Sequence, residues 1–464
     1  MFIDLSLLGK VSALLTDEDF MKVLWVCNIM LPAFARAKGL PWSDREGWLS
    51  GAYDRILMGK DNSNITLGVA FPSDNMGRDA EKIDNVSFYG FSENLDTPEI
   101  YDESLEGRFR EIFEDFKPDI IHVFGTEFPH NLAAIKAFGR PERTLLGIQG
   151  LCCEIEKVYM ANLPENVCSD MTFRDKYKND SLLQQKEKFA KRAEHEAEAI
   201  RLAGHITGRT DFDQEVTSKI NPRAKYHKMN ETMRPVFYKD AWRSVNTVPH
   251  SIFLSQGDYP LKGFHFVLEA MPEIVKEYPD TKVYVAGNSI IGKIRRKTVT
   301  VPDEQKNASG KSRYPLAIRI SAYGKYLKKL IRRGRLGGKV IMLGKLSAEQ
   351  MKEQMLKCNL FVCPSIVENS PNSMAEAMLL GVPIVAAETG GIPSMLEKNV
   401  DGLLFEAGNS QDLAKCIRQM FREPVIAAVY GDNARKHAKI THDAGTNFKR
   451  LLEIYKEIDA IAEG

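Results

Sequence analysis

Short apolar runs alternate with longer amphipathic stretches along almost the whole chain. Val23 to Ile29, Ile65 to Phe71, Val86 to Tyr89, Ile120 to Phe124 and Leu145 to Gln149 have the uninterrupted apolar character of strands buried on both faces. Helical patterns at Ser104 to Phe116 and Leu182 to Leu202 are interleaved with them. A second series starts at Ile252 to Ser255 and runs through Lys282 to Ala286, Val340 to Leu343, Asn359 to Cys363 and Val382 to Ala387. Strand and helix in strict alternation predict an α/β fold with two parallel sheets, each covered by helices. The expected division is an extension at 1–20, a first domain at 21–235, a second at 236–438 and a closing segment at 439–464. Within that last segment the helix Thr446 to Ile461 is expected to pack back on the first domain. Arg234-Pro235, Tyr238 and Trp242 predict an ordered connection between the two.

Composition changes this picture little. At 464 residues two domains are the natural count. Lysine plus arginine total 63 against 62 aspartates plus glutamates, so the whole molecule has no general attraction to nucleic acid. Seven cysteines form no C-x-x-C pair and read as reduced core residues of a cytoplasmic protein. No run of about 18 apolar residues is present to span a membrane, and the first twenty residues do not resemble a signal peptide.

Candidate chemistry is densest from Ser365 to Gly381. Pro364 ends the strand at Cys363, and a helix is expected to open near Pro371 and close at Leu380, before Gly381. Ser370, Asn372 and Ser373 then surround the first turn, where free amides and the helix dipole favour an anion such as a diphosphate. Glu376 lies one turn further in, where a carboxylate can accept two hydrogen bonds from a ribose diol. Glu368 stands on the loop at the carboxyl end of the strand, where doubly wound folds bind ligands.

Two glutamates with seven residues between them, followed by Ala377-Met378, then Gly381-Val382-Pro383-Ile384-Val385-Ala386 and Gly390-Gly391, resemble the signature of the retaining glycosyltransferases of family 4. The resemblance implies the GT-B fold of two facing Rossmann-like domains, the first for the acceptor and the second for a nucleotide sugar. It implies that Glu376 holds the ribose and that Glu368 lies beside the donor sugar. Lys262-Gly263 matches the phosphate-binding pair, so that Lys262 would neutralise the leaving diphosphate, while Gly257 stands where many relatives carry an arginine. Arg209, after the strand-like His205 to Gly208, is the candidate replacement cation. His130 is a candidate contact to donor or acceptor, as well as a helix-start residue facing water. Gly47, Asn288 and Leu346 are further candidate contacts, for phosphate or acceptor, at a second strand end facing the cleft, and for the base. Gly390-Gly391 is read as letting backbone approach the ligand or as a tight turn alone. The resemblance implies no cofactor beyond the nucleotide sugar and no essential metal. Asp211-x-Asp213 has the spacing of a metal triplet but sits where a helix start needs acidic residues.

The one large charge asymmetry lies between residues 292 and 339, with fifteen basic residues and two acidic ones. Ile320, Tyr323, Leu327, Leu330 and Ile331 repeat there at helical spacing beside lysines and arginines. Such a helix either rests on anionic lipid headgroups, in keeping with a lipid-linked acceptor and a peripheral place on a membrane's inner face, or covers a sheet with a basic outside. Three functions fit the sequence: a transferase of polysaccharide synthesis acting on a glycan or lipid-linked acceptor, a nucleotide-sugar epimerase or hydrolase, and a silent sugar-nucleotide binder. A dehydrogenase fits poorly, because no G-x-G-x-x-G follows either first strand.

Overall fold

The computed structural model describes residues 20–41, 47–57, 64–288, 290–291 and 320–463. The extension at 1–19 and the part of the basic segment between 292 and 319 lie outside these. The first lobe contains strands β1 (Met21–Val26), β2 (Ile65–Pro72), β3 (Glu81–Ile83), β4 (Val86–Phe91), β5 (Ile120–Phe124), β6 (Thr144–Gly147), β7 (His205–Gly208) and β8 (Lys225–Lys228). Its helices are α1 (Pro32–Ala37), α2 (Gly47–Leu57), α3 (Ser104–Phe116), α4 (Pro129–Phe138), α5 (Cys152–Val158), α6 (Glu165–Cys168), α7 (Phe173–Lys178), α8 (Leu182–Leu202) and α9 (Asp211–Ile220). The second lobe contains β9 (Val248–Leu254), β10 (Lys282–Ala286), β11 (Val340–Gly344), β12 (Cys358–Cys363), β13 (Ile384–Glu388) and β14 (Leu403–Glu406). Its helices are α10 (Phe264–Glu277), α11 (Ala322–Arg333), α12 (Ala348–Lys357), α13 (Asn372–Leu380), α14 (Ser410–Arg422) and α15 (Pro424–Thr441), followed by α16 (Ala444–Glu463).

The sheets have the orders β3-β4-β2-β1-β5-β6-β7-β8 and β11-β10-β9-β12-β13-β14. All pairings are parallel except β3 with β4 at one edge. In each sheet the order reverses beside the first strand, between β1 and β5 and between β9 and β12. Strand ends diverge at such a point and leave a crevice for a ligand. Burial follows the sequence pattern: β5 is buried at all five positions, and Met374 to Leu380 of α13 are buried throughout.

α16 does return to the first sheet, where Tyr455 accepts a hydrogen bond from Trp25 Nε1 at 2.9 Å and Arg143 pairs with Asp459 at 2.7 Å. The connection is ordered, with Trp242 Nε1 donating to the Cys358 carbonyl and the Tyr238 hydroxyl to that of His442.

The stretch from Leu151 to Asp180 is where structure and expectation part. It forms α5, α6 and α7, and although expected within the first domain it does not stay with the first lobe. Tyr159, Ala161, Leu163 and Val167 belong to the core of the second lobe, with Leu254, Phe264 and Val285. His265 Nε2 donates to the Ala161 carbonyl at 2.8 Å, and Asp175 accepts from the Ala322 amide at 2.9 Å, capping α11. The segment is a strap between lobes.

α11 corrects another expectation. Its apolar side, Tyr323, Leu327 and Ile331, is buried in the second lobe's core, so this side of the helix cannot enter a lipid surface. The sheet-covering alternative describes it. All seven cysteines are unpaired, and among the described residues no helix is long and apolar enough to cross a membrane.

Candidate active site

The site grows from the end of β12. Pro364 stops the strand, and the loop to Pro371 is stitched to the turn after β9, with the Ile366 amide donating to the Leu261 carbonyl at 2.9 Å. Lys262 reaches across this seam to Glu368 Oε1 at 2.5 Å, and Ser365 Oγ donates to the same oxygen at 2.8 Å. Burial works against the Lys262 charge, yet the Glu368 carboxylate and the Tyr259 ring beside it outweigh burial and hold the lysine above its ordinary pKa. The ammonium is therefore fully protonated at neutral pH.

Gly263 follows at φ 67°, and a Cβ there would stand 1.8 Å from the Pro364 carbonyl oxygen. Only glycine permits both the left-handed turn and this approach. Gly263→Ala is accordingly expected to cost at least about 2 kcal/mol of stability, read by chemical denaturation. A neutral result would mean that the turn carrying Lys262 is not locked to the Glu368 loop.

Gly390 and Gly391 approach the same loop from behind: a Cβ on either would fall 2.0 Å from a carbonyl oxygen, that of Glu368 for the first and of Asn369 for the second. The pair therefore makes room for the protein's own backbone. Ser394 Oγ accepts a hydrogen bond from the Asp211 amide across the lobes at 3.2 Å.

From the first lobe, Arg209 closes the site. Its Nη1 donates to Glu231 Oε2 at 2.6 Å and to Asn372 Oδ1, in the first turn of α13, at 2.8 Å. Glu231 also accepts from Gln149 Nε2 at 2.7 Å. Burial pushes the Glu231 carboxyl up and the Arg209 guanidinium opposes it, so the pair rests on mutual neutralisation. Thr210 Oγ1 donates to Asn369 Oδ1 at 2.7 Å, and Asn369 Nδ2 to the Gln149 carbonyl at 3.1 Å. Between these groups lies a cavity of about 360 Å³ lined by Lys262, Glu368, Arg209, Ser255, Ser370, Asn372 and Ser373, with Glu154 and Phe189 on the strap side. Two buried polar atoms on its wall, Arg209 Nε and Ser370 Oγ, have no hydrogen-bond partner among the described residues. Ser373 Oγ meets Ser255 Oγ at 2.9 Å.

Several candidates from the sequence do not line this cavity. Glu376 is 3% exposed, and both its oxygens are held by Arg234, from Nε at 2.6 Å and Nη2 at 2.7 Å. It sits one turn into α13, beside the connection between lobes rather than over the cavity. His130 is fully buried, its Nδ1 2.6 Å from Glu93 and its Nε2 3.0 Å from Asn28. It is neither a water-facing residue nor on the cavity wall. Asn288 is at the surface, donating to Asp258, and Leu346 is half-buried among apolar neighbours, both away from the cavity wall. Gly47 opens α2; Glu46 and the Trp48 side chain lie outside the described residues. Pro371 is the residue before α13 rather than its first. Thr210 caps α9 and Asp213 closes the capping box, while Asp211 is exposed near Lys228.

Glu231, Gln149 and Asn369 escaped the sequence reading. Each is an isolated polar residue in a loop, and its role exists only because a partner 60 to 220 positions distant, or Arg209 for Glu231, meets it.

Residues 239–437 match the family model described as Glycosyl transferases group 1. Over 118 residues the chain is 30% identical to the putative teichuronic acid biosynthesis glycosyltransferase TuaC of Bacillus subtilis, a match that covers 25% of this chain and 30% of that protein. The chain thus spans less than a third of that relative's length. Among solved structures it superposes on sucrose-phosphate synthase from Thermosynechococcus elongatus with a TM-score of 0.64, 13% identity and coverage of 95% and 100% of the two chains. Anabaena Alr3699/HepE in complex with UDP-glucose gives a TM-score of 0.61 at 17% identity, covering 94% and 100%. Likeness at that identity is likeness of fold, and it embraces both lobes. The chain has the two-domain GT-B architecture, and residues 239–437 of its second domain match the glycosyl transferases group 1 model.

Proposed function

We propose that the protein is a retaining glycosyltransferase that moves a sugar from a nucleotide-diphosphate sugar to a glycan or lipid-linked acceptor in polysaccharide synthesis, at the cytoplasmic face of a membrane. The observation that carries this reading is the interlobe cavity, where the Lys262 ammonium and the unpartnered Arg209 Nε and Ser370 Oγ converge beside the amino end of α13. Convergent donors next to free helix amides suit a diphosphate. The names of the relatives, one in teichuronic acid synthesis and one structure holding UDP-glucose, support the same donor class.

In this reading bond cleavage leaves negative charge on the departing phosphate oxygen, and Lys262 turns from Glu368 toward it. Arg209, held by Glu231, adds a second fixed cation without moving. Glu368 then faces the sugar hydroxyls, and the acceptor enters from the first lobe on the face that the diphosphate leaves. The departing phosphate itself takes the acceptor proton. The electrostatic work falls to these side chains, and no cofactor is required. Glu376 is the proposed ribose ligand, which requires the carboxylate to leave Arg234. Asn372 and Ser373 are proposed to flank the phosphates.

The test is a panel of UDP- and GDP-sugars. One donor at a hundred times its Kd is expected to stabilise the fold by about 2.7 kcal/mol, a thermal shift of several degrees, and to be consumed only with acceptor. A shift with no turnover would leave the silent binder, and no shift with any donor would end the proposal.

A further inference from the structure

The geometry points to a docking surface for anionic lipid headgroups on the outer side of the strap and α11, separate from the interlobe cavity. It refines the membrane-side reading above by naming the surface, and it rests on that reading only for its biological purpose.

Two features meet there. The first is apolar. Phe173 and Tyr177, four residues apart on α7, are 63% and 65% exposed, and Met171 and Leu183 beside them in sequence are exposed as well. A pair at this spacing shares one side of a helix, and nothing among the described residues covers it. The second feature is charge. Residues 320–339 contain seven lysines and arginines and no acidic residue, and Lys329, Arg332 and Arg333 on α11 are exposed. None of these three has an ion pair among the described residues.

The two features are fastened together. Asp175 of α7 accepts from the Ala322 amide at 2.9 Å, and Asp170 pairs with Lys325 at 2.7 Å. Three local acids are thereby paired, Asp170 with Lys325, and Asp175 and Asp180 with Arg174, while Glu165 on α6 stays exposed. What remains outward on α7 is aromatic and positive, with Lys176 and Lys178 exposed beside Tyr177. Amphipathic rings favour the headgroup level, and each basic side chain near an anionic surface adds attraction that salt weakens. The apolar component comes from α7, because the apolar side of α11 is spent on the core.

The experiment is flotation of the full chain with vesicles of phosphatidylcholine, with and without phosphatidylglycerol. The unaltered protein is expected to float with the anionic vesicles at low salt and to be released at high salt. The double variant Phe173→Ser/Tyr177→Ser should weaken binding about tenfold, and Lys329→Gln/Arg332→Gln/Arg333→Gln about a hundredfold with a shallower salt dependence. These residues are exposed, so unfolding midpoints should not move, and donor-induced thermal shifts should equal the parent's. Equal binding to neutral vesicles, or binding unchanged in both variants, overturns the surface. A protein that floats normally but binds no nucleotide sugar would instead defeat the transferase reading, so the two failures are separable.

Discussion

Lys262→Ala is expected to lower kcat for sugar transfer by about two to three orders of magnitude, with a smaller loss of donor affinity. The size follows from where the charge develops. In the bound donor the diphosphate charge is partly shared with the sugar bond, and on cleavage it collects on the leaving oxygen, so a fixed cation there counts for more in the transition state than before it. The Lys262 ammonium is well suited, since Glu368 and Tyr259 keep it protonated and in place. Lys262→Arg should recover part of the rate by restoring the charge with a bulkier, planar head. Steady-state rates with saturating donor decide the matter. A kcat within about threefold of the parent, far short of the loss expected of a leaving-group cation, would remove Lys262 from that role.

Glu376→Gln separates two roles that the structure and the proposal place on one carboxylate. As the partner of Arg234 it is buried, and an amide can satisfy only one of the two guanidinium bonds. Breaking such a pair is expensive, and with Arg234 18% exposed the loss belongs near the lower end of about 3 to 5 kcal/mol. The unfolding midpoint should therefore fall by several degrees. If the ribose also takes this carboxylate, the Kd of the nucleotide sugar should rise at least tenfold in titration calorimetry. A lowered midpoint with unchanged affinity would make Glu376 a residue of the interlobe connection alone, with the ribose held elsewhere.

The second lobe could be read from sequence because its central strands β12 and β13 are buried on both faces. Such strands appear as unbroken apolar runs ended by Gly or Pro, as β12 is by Pro364. α3 and α8 likewise fall where their amphipathic spacing places them. Elements that lack such a pattern were invisible: β8, Lys-Tyr-His-Lys, has one buried side chain, and α5 to α7 are four to seven residues long. The site divides along the same line. Lys262 and Glu368 lie on loops whose strands fix them, so a local motif was enough. The burial and pairing of Glu376 and His130 could not be foreseen, because Arg234, Glu93 and Asn28 are far away in sequence, and a carboxylate or imidazole looks equally free before its partner is known. For α11, periodicity could not decide between lipid and core, since both demand the same stripe.

The strap changes how the lobes can move. A pair of domains joined by one connection can swing about almost any axis through it. Here the chain passes between lobes at two separate places: out and back through Tyr159 to Val167, and where the stretch around Arg234 to Trp242 runs beside the return to α16, with Tyr238 meeting His442. Two separated tethers confine rotation to the line that joins them and otherwise leave small sliding displacements. In the transferase proposed above, a spent nucleoside diphosphate would leave by that one hinge-like opening, and its escape, more than bond cleavage, would set the pace of turnover.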